Sequence, residues 1–139
     1  MGLLRYPLAY VVTAVVFAVM DFGWLSWAKD QLYTPEIGPL LIDGVRLPPA
    51  IAFYLLYILG VTGLCVLPGL SERSWLRGAG SGALLGLAAY AAYDLTNQAT
   101  MKLWSTKVTI LDLAWGTFAT AAASGLSVLI LGAVLRNRS

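Results

Sequence analysis

YPLAYVVTAVVFAVMDFGWLSWA, residues 6–28, is a run of 23 residues with one charged side chain, Asp21. About 20 apolar residues suffice for a helix to cross the hydrocarbon core of a bilayer, so this run reads as a membrane span. Three more runs of the same kind follow at residues 47–67, 78–101 and 108–135. The chain has 139 residues, 59% of them hydrophobic and 12% charged, and a mean hydropathy of +0.77. That leaves too few polar groups to coat a water-soluble globule. The expected fold is therefore an all-α membrane protein, a four-transmembrane-helix bundle forming a single integral membrane domain over residues 1–139. The first run follows Arg5 and is followed by Lys29 and Asp30 without a small-residue cleavage site, so it reads as an uncleaved helix rather than a signal peptide.

Composition excludes several chemistries. Histidine is absent, which removes His-ligated haem, His-rich zinc sites and every Ser-His or Cys-His pairing. Cys65 is the one cysteine and can form no disulfide within the chain. The net charge of +2 is spread over loops and ends, without the basic patch that nucleic acid requires; membrane lipids are the expected partners. The connectors fall at residues 29–46, 68–77 and 102–107, marked by Pro35, Gly38, Pro39, Gly44, Pro68 and Gly69. Arg5, Arg73, Arg77, Arg136 and Arg138 share one side, against Lys29, Arg46, Lys102 and Lys107 on the other. The positive-inside rule then leans toward both termini in the cytoplasm. Tyr6, Trp27, Tyr33, Trp75 and Trp104 lie near span ends and read as interfacial anchors.

Three carboxylates, Asp21, Asp94 and Asp112, fall inside the runs, where an ionisable side chain is by default a functional candidate. Asp21 precedes Lys29 by eight residues, Asp94 precedes Lys102 by eight, and Asp112 follows Lys107 by five. At about 1.5 Å per residue all three lie roughly 7 to 12 Å below one surface. Tyr54 and Tyr57, entering from that surface after Pro48 and Pro49, reach the same depth. Helical spacing adds Trp24 beside Asp21, Tyr90 and Asn97 beside Asp94, and Trp115 beside Asp112. Gly78, Gly82 and Gly86 recur every four residues, as do Asp112, Gly116, Thr120 and Ser124. Small residues at that spacing let helix backbones approach closely, so an antiparallel contact between the third and fourth spans would bring Asp94 and Asp112 together. With no Lys or Arg inside a span to neutralise them, the acids are expected to share a proton or hold a cation.

The ordered motifs MDFGWL (20–25), FYLLYILG (53–60), YDLTNQAT (93–100) and LDLAWGTF (111–118) resemble those of DUF2177, a family of small bacterial inner-membrane proteins. The resemblance covers almost the whole chain and implies a four-helix protein of the bacterial inner membrane, without an assigned activity or cofactor. The matching positions are Asp21, Trp24, Tyr54, Tyr57, Tyr93, Asp94, Thr96, Asn97, Asp112, Trp115 and Gly116, and with Tyr90 they form the expected pocket. Such a pocket fits binding or transport of a small cation, a proton-coupled solute, or an amphiphile or lipid, with a homodimer expected because four helices make a thin wall. Two other readings fit the same residues: an intramembrane aspartate-dependent enzyme acting on a lipid or lipid-linked substrate, and an accessory subunit of a membrane complex. A metal held by carboxylates without histidine would have to be a hard, oxygen-loving ion.

Overall fold

Pro35 and Pro68 read as helix breakers in the sequence, yet neither ends its helix. The computed structural model describes residues 2–137, with the side chain of Asn137 outside the description; Arg138, counted above among the positive charges, also lies outside it. Its first helical run, α1 (Gly2–Leu40), passes from a regular helix over Arg5–Ala28 through a wide π-turn at Lys29–Tyr33 into short turns that end at Leu40. In the wide turn the Thr34 N–H reaches back five residues to the Lys29 carbonyl. The second run, α2 (Leu47–Ser71), contains a matching wide turn at Thr62–Val66, where the Leu67 N–H reaches Thr62. Each wide turn ends two residues ahead of a proline. A proline ring inside a helix collides with the carbonyl four residues back and offers no N–H; widening the preceding turn removes both conflicts and lets the helix continue.

The expected connector at 29–46 is thus corrected. Residues 29–40 extend the first helix, and only 41–46 form a loop, with Gly44 at φ 77° making its turn. Leu32 and Ile37 hold the extension in place by burial with Ala28 and Val108. The second connector shrinks to residues 72–74. The third helix, α3 (Trp75–Thr100), is capped by Ser74, whose Oγ accepts from the Arg77 N–H at 3.1 Å. After a short hinge, α4 (Thr106–Asn137) starts with Ser105 Oγ accepting from the Val108 N–H at 3.2 Å.

α1, α2 and the stretch Thr106–Arg136 of α4 are long and apolar enough to cross a membrane. α3 has the length, at 26 residues, but it carries Gly, Ala and polar side chains where the others carry Val, Leu and Ile. Its glycine row is the seam with α4. A β-carbon on Gly82 would sit 2.5 Å from the Thr120 carbonyl oxygen, one on Gly78 3.4 Å from the Ser124 carbonyl oxygen, and one on Gly86 would overlap the Gly116 carbonyl. α3 and α4 therefore run antiparallel with their backbones in contact, as the spacing of small residues predicts.

α1 lies across α4 and more lightly against α2. Its inner row, Ala9, Thr13, Phe17 and Asp21, is buried; its outer row, Val11, Val15, Val19 and Phe22, is more than half exposed. Thr62, Thr120, Ser124 and Ser127 are likewise buried, beside a core that includes Phe17, Val61, Val66 and Leu131, while many other large aliphatic side chains face outward. Polar groups within and apolar groups without are the arrangement that lipid demands.

Candidate functional site

The acids are positioned from two helices by one local device. On α1, Trp24 follows Asp21 by three residues; on α4, Trp115 follows Asp112 by three, so each acid and its indole share a helix face. Where α1 crosses α4 the two indoles stack, with centroids 4.9 Å apart and planes 8° from parallel. One indole N–H then reaches across to the other helix, and the other bonds within its own. Trp115 Nε1 donates to Asp21 Oδ1 in a long contact of 3.4 Å, and Trp24 Nε1 donates to the Tyr33 hydroxyl at 3.0 Å. The Tyr33 hydroxyl in turn donates to Asp112 Oδ1.

Tyr33 is the residue that sequence reasoning misplaced. Read as an interfacial anchor on a loop, it instead completes the acid layer. Nine residues separate it from Trp24, which is two and a half turns of a regular α-helix and would put the two on opposite faces. The π-turn at Lys29–Tyr33 inserts one extra residue, so the effective separation is eight, a same-face spacing. The signal that could have found it is the proline two residues later, which makes a widened turn the cheapest way to keep the helix going.

A cleft of about 610 Å³ opens in front of this layer. Of the twelve residues expected to form a pocket, Asp21, Trp24, Tyr54, Tyr90, Tyr93, Asp112 and Trp115 line it, joined by Tyr33, Phe53 and Ile37 among others. Its lining is overwhelmingly apolar, and Leu25, Leu41, Phe53 and Tyr93 at the rim are exposed. The remaining five stand elsewhere. Asp94 is fully buried behind Asp112, within hydrogen-bonding reach of it, and neither Asp94 oxygen meets a donor among the described residues. Gly116 lies under the Tyr90 ring, where any β-carbon would collide. Tyr57 is in the core, its hydroxyl 2.7 Å from Thr120 Oγ1 and its ring against Phe17 and Phe53. Thr96 is exposed and bonds back to the Ala92 and Tyr93 carbonyls of its own helix. Asn97 is half-buried and reaches the Tyr93 side chain.

Residues 6–129 match the model of a family described as a predicted membrane protein, DUF2177. The chain belongs to this family. The matched stretch of this DUF2177 protein contains every residue of the cleft and of the acid layer. No curated protein and no solved structure matches it. Among the described residues no three Cys, Asp or Glu side chains converge closely enough to hold a metal ion. What the geometry offers is carboxyl oxygens at the floor of a greasy, aromatic cleft.

Proposed function

We propose that this DUF2177 protein is a four-span protein of the bacterial inner membrane whose cleft binds an amphiphile by its cationic head. The observation that carries the reading is the placement of Asp21 and Asp112 at the floor of a cleft walled by stacked Trp24 and Trp115 and by Tyr54, Tyr90 and Tyr93. An ammonium group seated there gains Coulomb attraction from the carboxylates and about 0.5–2 kcal/mol from each well-placed ring face. The apolar rim at Leu25, Leu41 and Phe53 suits an alkyl tail and opens toward lipid rather than water. A volume of about 610 Å³ accommodates the head and the first carbons of the tail.

α3 supplies the fourth span. Its Leu76, Leu84, Leu87 and Leu95 are exposed on the side away from α4, as a lipid face would be. At about 1.5 Å per residue it is roughly 39 Å long, more than the hydrocarbon thickness. Both termini then lie in the cytoplasm, and the acid layer lies nearer the opposite surface.

The test is binding of dodecyltrimethylammonium and of uncharged dodecanol to the protein in lipid nanodiscs, followed by the fluorescence of the stacked indoles. The cation binds at least tenfold more tightly than the alcohol, and Asp21→Asn and Asp112→Asn each erase that preference. Equal binding of the two amphiphiles by the wild type would contradict the proposal.

A further inference from the structure

Asp94 is the polar group in the layer whose position cation binding alone does not explain. Its side chain is 0% exposed, lies outside the cleft lining, and both of its oxygens lack a donor among the described residues. The group within hydrogen-bonding reach is the Asp112 carboxyl, on the antiparallel helix held close by the Gly82 and Gly86 contacts. Tyr33 already donates to Asp112 Oδ1. Two carboxylates repel at such a separation, and they attract only when one of them carries a hydrogen to donate.

We propose that Asp94 and Asp112 hold one proton between them and that a cation entering the cleft expels it, so that cation binding and proton release are exchanged at this pair. This rests on the cation-binding reading above and adds a coupling to it. In the empty cleft the pair carries one proton and one negative charge. When the ammonium group seats against Asp112, the O–H bond of the pair breaks, its proton passes by way of Asp112 to water at the nearer membrane surface, and both carboxylates remain, balanced in part by the cation. No electrons change hands.

The surroundings allow this exchange. The titratable groups facing the pair are Tyr33 and Asp21 on α1 and Tyr90 and Tyr93 on α3; α2 contributes Tyr54 to the cleft and has no charged side chain. Lys29, at the wide turn of α1, and Lys102 and Lys107, at the hinge between α3 and α4, are exposed. The arriving ligand is thus the positive charge that decides the proton's fate. A unit charge roughly 5 Å from the proton, at an effective dielectric constant of about 20, weakens its hold by on the order of a hundredfold. Burial of Asp94 gives the proton a place that the ligand's bulk cannot reach.

The experiment uses the wild-type protein in nanodiscs, in weakly buffered solution with a pH-indicating dye, titrated with dodecyltrimethylammonium. About one proton is expected per cation bound near neutral pH, with an affinity that rises close to tenfold per pH unit where the pair is protonated. The infrared carbonyl band of a protonated carboxylic acid, present before addition, should bleach as the cation binds. In Asp94→Asn the proton release and the pH dependence of binding should both vanish. Cation binding without proton release or bleaching overturns the exchange and leaves the binding proposal standing; absence of any preferential cation binding removes both. Undiminished proton release from folded Asp94→Asn would place the proton on another group and also overturn the inference.

Discussion

Gly86→Ala is the substitution that most sharply tests the helix seam on which the acid layer depends. The added β-carbon would overlap the Gly116 carbonyl oxygen and lie 2.8 Å from both the Gly116 carbonyl carbon and Thr120 Oγ1. Carbon contacts relax at about 3.5–4.0 Å, so the two backbones must separate by roughly 1 Å, and two of these neighbours are main-chain atoms that cannot swing aside. Overpacking of this kind costs about 1–3 kcal/mol. Gly80→Ala provides the control, because nothing lies within 4 Å of its β-carbon and the gain in helix propensity is about 0.5–1 kcal/mol. The two variants should therefore differ by about 1.5–4 kcal/mol in reversible unfolding from mixed micelles, read by tryptophan fluorescence. Separation at Gly86 also carries Asp94 away from Asp112, so the Ala variant should lose the proton release that accompanies binding of dodecyltrimethylammonium. Equal stabilities for Gly86→Ala and Gly80→Ala would refute close backbone packing between α3 and α4.

Tyr33→Phe should destabilise the protein by about 1.5–3 kcal/mol, the range for a hydrogen bond to a charged group, whereas a tyrosine at the membrane surface would tolerate the change; the same unfolding assay decides. Tyr57→Phe removes the buried contact with Thr120 and should cost about 1 kcal/mol while leaving cation affinity unchanged, because its hydroxyl points into the core. In a Cys65→Ala background, single thiols from Ser71→Cys and Leu103→Cys should react with an impermeant maleimide from opposite faces of the membrane. Labelling from the same face would show that α3 does not cross.

Much of this arrangement was legible because it repeats at helical intervals. The glycines at 78, 82 and 86 and the small residues at 116, 120 and 124 announce a close seam, and the offsets of Asp21, Asp94 and Asp112 from flanking lysines, eight, eight and five residues, put the three acids within about two turns of one surface. The breaks in that periodicity were not legible. Pro35, Gly38 and Pro39 have the composition of a loop, but a widened turn absorbs the first of them and carries the helix to Leu40; the loop expectation and the misreading of Tyr33 share that cause. Thr96 looked chemical because it stands beside Asp94 in the motif, yet two residues along a helix turn it to the outside, where its hydroxyl serves its own backbone. Burial of Asp94 behind Asp112, rather than beside it in the cleft, depends on how far α3 is rotated about its axis. No spacing within one helix specifies that rotation.

The most direct measurement of whether the cleft is a binding site for an amphiphile with a cationic head is the identity of what it holds. The wild type, Asp21→Asn and Asp112→Asn should be extracted in native-lipid particles and their retained small molecules and lipids compared by mass spectrometry. A cationic amphiphile kept by the wild type and lost from both variants is the expected result. The same molecules in all three proteins at unchanged thermal stability, or a wild-type ligand without positive charge, would contradict it.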